Sequence, residues 1–413
     1  MSKRVFAAMS GGVDSSVAAA LLKERGFDVV GIHMKMWRPD GGQNDENGKS
    51  ARGERFQRFH RAERFTERGD SSISSVCKQQ FQDRLDAMRT AAVLGIPFQT
   101  WDFSEKYRRA VVNHMIREYA SGRTPNPDVM CNREIKFGLF LKKALEAGAD
   151  YIATGHYVRL RQADQNGEIG KNDQIAQFHF HPAKRLTKRS DSPSLLLQAI
   201  DQNKDQSYFL WTLTQKQLRH CLFPIGECKK PEVRALARKF SLPTAEKPDS
   251  QGVCFIGELD MRDFLKHFIP ERRGKVKTTT GKTVGEHTGA EFYTIGQREG
   301  LGIGGGIPYY VTAKDQKTNT LVVAEGPYDA GLFRNELAVS NVNWISGGAP
   351  SLPLRCRARI RYRQPVQKCI VTKFSKFNLK VVFDEPQRAV TPGQSVVFYK
   401  GETMLGGGVI EEY

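Results

Sequence analysis

Cysteine is scarce in this chain, and its scarcity excludes a disulfide framework. Seven thiols (Cys77, Cys131, Cys221, Cys228, Cys254, Cys356 and Cys369) are spread over 413 residues, an odd and sparse set. Six residues separate Cys221 from Cys228, and no second Cys or His pair stands at zinc spacing, which argues against a metal knuckle. Long apolar runs are missing too. No stretch approaches the roughly 18 apolar residues of a membrane-spanning helix. The five apolar residues at 5–9 are too few for a signal h-region and run straight into a Ser-Gly-Gly turn, so the expected location is cytoplasmic, with no membrane partner. Acidic residues are outnumbered: 45 Asp+Glu face 63 Lys+Arg, a net charge of +18. That excess favours a polyanionic partner, although a soluble protein that is merely basic fits the charge as well. What is present in quantity is apolar residue, 39% of the chain, enough for packed cores. The length predicts two or three domains.

The first half alternates strand and helix. Periodicity predicts strands over 5–9, 28–34, 97–101 and 151–154, and helices over 15–25, 81–94, 107–120 and 134–147. This alternation is the pattern of an α/β, doubly wound parallel sheet. Such sheets bind ligands beyond the carboxyl ends of their strands. Ser10-Gly11-Gly12, Met34 and Gly155-His156 stand at such ends, so three loops should meet at one crevice. Two polar insertions interrupt the pattern. The first, about 40–75, is either a solvated loop or a short helix striped by Arg55, Arg58, Arg61 and Arg64. The second, about 161–194, reads as a long surface hairpin or loop. Beyond Trp211 come short helices at 215–220, 231–240 and 261–268, then Gly-rich strands at 282–285, 292–295, 309–311 and 321–324. The last eighty or so residues are all-β with dense turns, which predicts a small barrel. The expected domains are 1–212, the α/β domain; 213–335, a small central α+β domain; and 336–413, a C-terminal β-barrel. Within the barrel, residues 355–363 read Arg-Cys-Arg-Ala-Arg-Ile-Arg-Tyr-Arg. As one strand this would put five arginines on one face, suited to a phosphate backbone or, alternatively, to a solvated edge.

Ser10-Gly11-Gly12-Val13-Asp14-Ser15-Ser16 lies between a strand and a helix. Glycines let the backbone approach a phosphate, and the helix that follows adds its positive end. The loop lacks the spacing and lysine of a Walker A motif. It suits a pyrophosphate, with Asp14 a candidate Mg²⁺ contact; a tight glycine turn without a ligand is the plain alternative. The loop resembles the PP-loop of the N-type ATP pyrophosphatases. Longer motifs narrow the resemblance to the tRNA-specific 2-thiouridylases: Gly122-Arg123-Thr124-Pro125-Asn126-Pro127-Asp128 with Cys131-Asn132-Arg133-Glu134; Ala153-Thr154-Gly155-His156-Tyr157; Lys204-Asp205-Gln206-Ser207-Tyr208; Asp249-Ser250-Gln251-Gly252-Val253-Cys254-Phe255; and Thr294-Ile295-Gly296-Gln297-Arg298. The match spans nearly the whole chain apart from the two insertions. One departure is Met36, where Asn is usual.

The resemblance implies a PP-loop fold for the first domain and a division of labour. Ala8, Met9, Ser10, Gly11, Gly12, Val13, Asp14 and Ser15, with Met34 and Gly155, would contact ATP, with Mg²⁺ as its companion. Asn126, Pro127 and Asp128 would touch the target base. His156, Asp205, Gln206, Ser207, Arg361, Tyr362 and Gln394 would contact tRNA, in particular the anticodon arm of the Lys, Glu and Gln tRNAs. Cys131 and Cys254 would be the working thiols, Cys254 carrying a persulfide received from a sulfur-relay donor protein and Cys131 attacking to release the thiolated base, with a Cys131–Cys254 disulfide left behind. Cys77 has no assigned role. A uridine 2-oxygen leaves poorly, and adenylation would make it depart as AMP. Two other classes compete: a PP-loop adenylating synthetase for a small molecule, and an inactive tRNA-binding homologue. Neither needs two placed cysteines together with an intact Ser-Gly-Gly-x-Asp-Ser loop.

Overall fold

The computed structural model describes residues 2–37, 71–163, 192–249, 260–304, 306–375 and 378–412, with the backbone alone for 71–78. Two compact units emerge, each assembled from three stretches of chain. One comprises Met1–Val111, Met130–Ser207 and Gln215–Phe264; the other comprises Val112–Val129, Tyr208–Thr214 and Leu265–Tyr413.

The first unit is built on a five-stranded parallel sheet. Its strands are β1 (Arg4–Ala8), β2 (Asp28–Lys35), β3 (Phe98–Asp102), β4 (Tyr151–Ala153) and β7 (Cys221–Leu222), in the order β3-β2-β1-β4-β7. Helices cover both faces, so β1, β2, β4 and β7 bury most of their residues, while the edge strand β3 buries only Trp101. From β1 the chain winds outward to β2 and β3, then returns to β4 on the other side. The β1/β4 boundary is therefore the switch point at which such sheets leave a crevice. Helix α1 (Val13–Glu24) presses Val13, Val17, Leu21, Leu22 and three consecutive alanines into the core, and the small Ala18, Ala19 and Ala20 let it lie close. Helix α3 (Lys230–Lys239) adds Val233, Leu236 and Ala237 to the same core. Helix α2 runs Ser71–Leu94, starting earlier than the periodicity predicts because its Ser-rich opening reads as loop by composition. Strands β5 (Val158–Gln162) and β6 (Ser194–Gln198) pair antiparallel and form the stem of the second insertion. Residues 164–191, and 38–70 of the first insertion with its arginine stripe, lie outside the described residues.

The second unit holds two β structures. A four-stranded sheet takes the order β10-β11-β8-β9, from β8 (Gly274–Thr278), β9 (Thr283–His287), β10 (Tyr309–Asp315) and β11 (Thr320–Glu325). The strand expected at 292–295 does not form. A short 3₁₀ turn, Ala290–Phe292, stands there, entered through Gly289 at φ 150° and followed by a turn at Gly296, φ 85°. Positive φ at both ends breaks an extended path. The C-terminal barrel is β12 (Phe333–Trp344), β13 (Leu354–Arg359), β14 (Gln367–Lys373), β15 (Leu379–Arg388), β16 (Ser395–Lys400) and β17 (Thr403–Glu411). It runs β12-β15-β14-β13-β16-β17 and closes through β12–β17 pairing, which removes its free edges. Leu337, Val371, Val381, Phe398 and Ile410 fill its centre.

The five-arginine face does not exist. Strand β13 stops at Arg359, which is itself buried at 4% exposure with its guanidinium 4.8 Å over the Tyr399 ring. Ile360 is needed in the barrel core, and the turn after it sends Arg361 inward; Arg363 adopts φ 63° over the Tyr362 ring. A charge reversal at Arg359 would therefore report on folding, not on RNA binding.

Candidate functional site

In the first unit the loop after β1 is tied to its own helix. The Ser10 amide donates to Ser15 Oγ at 3.2 Å, and the hydroxyls of Ser15 and Ser16 donate to the Gly12 carbonyl at 3.1 and 2.9 Å. Gly11 has φ 82°, and a Cβ there would fall inside the Asp83 carbonyl of α2, so no other residue fits. Gly12 caps α1 with ordinary φ, and a Cβ on it would meet nothing nearer than Ser10 Oγ at 3.6 Å. The opening amides of α1, at Val13, Asp14 and Ser15, have no acceptor within the helix, and a helix start of this kind favours an anion. Gly155, just beyond β4, packs so closely that a Cβ would approach the Ser15 amide at 2.7 Å. The loop holding Ala8, Met9 and Ser10 through Ser15 and the loop holding Gly155 thus meet at the switch point. Met34 stands near the carboxyl end of the adjacent β2, half-buried.

Around Asp14 lies a cluster that sequence reasoning missed. Its carboxylate accepts from Tyr157 Oη at 2.7 Å and from Lys230 Nζ at 2.8 and 3.0 Å. Lys230 also lies 2.7 Å from Asp249, which in turn takes Lys204 at 2.6 Å and Arg234 at 3.1 Å. Asp201 joins the cluster by accepting from the Lys230 amide at 2.9 Å, so three cations meet three carboxylates and their charges balance. Burial and then the charge of Asp14 push the Tyr157 hydroxyl far above its ordinary pKa. In a chain with 63 Lys and Arg, nothing set Lys230 apart. Tyr157 adjoins the Gly155-His156 pair and was the signal that sequence could have offered.

Burial opposes ionisation of Asp249, but hydrogen bonds and charge from Lys204 and Lys230 prevail and hold its pKa at about 2. Its folded value is depressed, so its contribution is present above the unfolded value of roughly 4 and disappears as pH falls toward 2. Asp249→Asn is expected to flatten the fall of Tm between about pH 4 and pH 2, read by thermal melts across that window. An unchanged slope would remove Asp249 from the acid response.

Three residues expected to face RNA are turned inward. His156 is 7% exposed, pairs through Nδ1 with Thr154 Oγ1 at 2.8 Å, and packs beside Phe137 and Phe223. Burial, then Lys136, drives its pKa well below the ordinary histidine value, so it is neutral. Asp205 and Ser207 are buried as well. Asp205 accepts from the Ala199 and Ser207 amides and from Ser207 Oγ, since a carboxylate this enclosed needs several donors. The half-buried Gln206 fastens the Tyr157 backbone at both its amide and its carbonyl. The 205–207 side chains therefore build the loop behind Tyr157.

Cys131 lies where the short helix Pro127–Cys131 passes directly into the π-helical stretch Asn132–Phe140, and it is 1% exposed. No cluster of three or more His, Cys, Asp or Glu that could hold a metal occurs among the described residues. Cys254, and with it any meeting of the two thiols, lies outside the described residues, as does the side chain of Cys77.

The second unit assembles a different set. Gln394 Nε2 donates to the carbonyls of Thr124 and Pro125 at 2.9 and 3.0 Å, and the Thr124 amide donates to the Pro392 carbonyl at 3.0 Å. These bonds fix the approach to Asn126, Pro127 and Asp128, all half-buried; Asn126 Oδ1 accepts from the Val129 amide at 3.2 Å and caps the helix after it. A cavity of about 370 Å³ opens beside them, lined by Thr294, Ile295, Gly296, Gln297, Arg361, Thr391 and Gln394. Arg361 donates to the carbonyls of Ile295 and Ala389 at 3.2 and 2.8 Å. Burial and the neighbouring Arg388 lower its pKa from the usual arginine range. Tyr362 packs on Phe209, ring centroids 4.6 Å apart. Arg361 and Gln394 thus share one cavity, and the sequence had not marked residues 294–297 as its wall.

Family models cover the chain almost end to end. A tRNA methyl transferase HUP domain matches residues 3–66 and 56–258, a tRNA methyl transferase PRC-barrel domain 262–325, and an aminomethyltransferase beta-barrel domain 334–410. Among curated relatives, tRNA-specific 2-thiouridylase MnmA 2 of Geobacillus kaustophilus is 44% identical over 410 residues, covering 99% of this chain and 95% of the relative. The tRNA-specific 2-thiouridylase MnmA of Pseudomonas fluorescens is 44% identical over 414 residues, with 99% and 95% covered.

Proposed function

The chain belongs to the family of tRNA-specific 2-thiouridylases, and from that premise we propose how its residues divide the work of a tRNA-uridine 2-sulfurtransferase. The enzyme replaces the 2-oxygen of a tRNA uridine with sulfur. The wobble uridine of the Lys, Glu and Gln tRNAs is the proposed target. The observation that carries the reading is the glycine-walled cradle at the β1/β4 switch point, where neither Gly11 nor Gly155 has room for a side chain and the amino end of α1 begins.

ATP fits that cradle and supplies the adenylyl group that makes the 2-oxygen a leaving group. Ala8, Met9, Ser10, Gly11, Gly12, Val13, Asp14 and Ser15 line it, with Met34 and Gly155 at its flanks. For Mg²⁺ the protein offers Asp14, the single acid of the loop; one carboxylate plus phosphate oxygens is a set that Mg²⁺ accepts. Lys230 and Tyr157 hold that carboxylate in place. In the second unit Asn126, Pro127 and Asp128 receive the target base. Arg361, Tyr362 and Gln394 hold the anticodon arm, while His156, Asp205, Gln206 and Ser207 support contact through the loops they stabilise. Cys254 carries sulfur as a persulfide from a relay donor protein. Cys131 attacks the sulfur bridge and frees the base, and a dithiol reductant resets the resulting disulfide. Residues 1–212 are the proposed ATP domain, 213–335 the persulfide-bearing linker and 336–413 the tRNA-holding barrel.

Purified protein with tRNA, ATP and a persulfide donor should yield 2-thiouridine and AMP in equal amounts. AMP formed at the same rate without tRNA would point instead to a small-molecule acceptor. Gln394→Ala removes two bonds that hold the approach to Asn126, worth about 2 kcal/mol together. The KM for tRNA should rise by about 10- to 30-fold with little change in the KM for ATP. An unaltered tRNA KM would show that the 124–128 loop does not depend on Gln394.

A further inference from the structure

Strands β13 and β14 put Cys356 and Cys369 directly opposite each other, with their Sγ atoms 3.7 Å apart, and both are free thiols. Opposed residues in an antiparallel pair have Cα atoms about 4.5 or 5.5 Å apart, and a disulfide tolerates about 4.4–6.8 Å. The backbone is thus already within reach, and side-chain rotation covers the rest. Access is unequal: Cys369 is 2% exposed, whereas Cys356 is half-buried and open to a small oxidant. Exposure therefore marks Cys356 as the attacking sulfur, and the hydrogen bond shared by the two thiols favours its thiolate by lowering its pKa. Neither thiol has a part in the sulfur transfer.

We propose that Cys356 and Cys369 are a peroxide-responsive dithiol site that oxidises reversibly to a cross-strand disulfide. The Cys356 thiolate attacks hydrogen peroxide, breaking its O–O bond; sulfur becomes a sulfenic acid and hydroxide departs. Cys369 then attacks that sulfur, the S–S bond forms, and the sulfenic oxygen leaves as water with the Cys369 proton. Two thiols lose two electrons and the peroxide gains them; a dithiol reductant reverses the change. The staple would lock the strand that bears Arg357 and ends at Arg359, two residues before Arg361. With the two positions 13 apart in the chain, it should raise the melting temperature of the barrel by about 5–10 °C.

The full-length protein is treated with hydrogen peroxide, its remaining thiols are alkylated, and the digest is mapped by mass spectrometry. A peptide joining Cys356 to Cys369 is expected, with a higher melting temperature that dithiothreitol returns to the starting value. In Cys356→Ala the linked peptide and the temperature shift should both vanish. The peptide map of the wild type needs no variant, so it decides the matter even where a substitution unfolds the barrel. Complete alkylation of both thiols after peroxide treatment, or a disulfide from either one to a different cysteine, would overturn the proposal.

Discussion

Cys131→Ser is expected to stop 2-thiouridine formation, by about three orders of magnitude or more, while leaving the protein folded and able to bind tRNA. The side chain is 1% exposed within continuous helical structure, so serine, nearly the same size, should cost only about 1 kcal/mol by burying a hydroxyl. What serine cannot do is attack a sulfur–sulfur bridge at neutral pH, since its hydroxyl is rarely ionised. In the proposed order of events adenylation comes before the thiol is needed. The variant should therefore release pyrophosphate for one turnover per protein and then stall with the tRNA attached. Quenched single-turnover assays with labelled ATP and tRNA check this. Repeated turnover to thiolated tRNA would remove Cys131 from the chemistry.

The second large effect is expected at the glycine loop, where neighbouring positions should fail for different reasons. Gly11→Ala forces a left-handed backbone on a residue with a Cβ, at about 1–2 kcal/mol, and drives that Cβ into the Asp83 carbonyl of α2. The loop must shift, and a displacement near 1 Å costs about 100-fold in rate. The tRNA-dependent release of pyrophosphate should fall by at least about that factor, and the melting temperature should drop. Gly12→Ala meets no clash within the protein, so its melting temperature should fall by no more than the roughly 1 kcal/mol that alanine costs at a helix N-cap. If ATP lies against this loop, its activity should still fall, because only the ligand needs the space. Wild-type ATP kinetics in both variants would move the nucleotide elsewhere.

Much of the first unit was legible because its signals are local. Apolar runs bounded by Gly and Pro mark β1, β2 and β4, and the Ser-Gly-Gly turn before an Ala-rich stretch marks the β1–α1 junction. The misreadings arose where distant residues decide. The alternation at 355–363 looks like a strand, yet Arg361 is drawn inward by carbonyls at 295 and 389, and no pattern within nine residues shows that. His156, Asp205 and Ser207 are polar residues in motif positions, which the resemblance gives as tRNA contacts without showing how deeply they lie. Their burial follows from the aromatic rings of Phe137 and Phe223 and from the amide of Ala199, brought to them by the fold. Lys230 stands 216 residues from Asp14 and has no local mark of its role.

The most direct measurement is mass spectrometry of tRNA nucleosides from cells in which the gene for this chain has been deleted. The 2-thiouridine derivatives should vanish, return when the intact chain is supplied, and stay absent when Cys131→Ser is supplied instead. Undiminished 2-thiouridine in the deletion, with no other enzyme able to make it, would contradict the assignment of this protein as the sulfur-transferring enzyme.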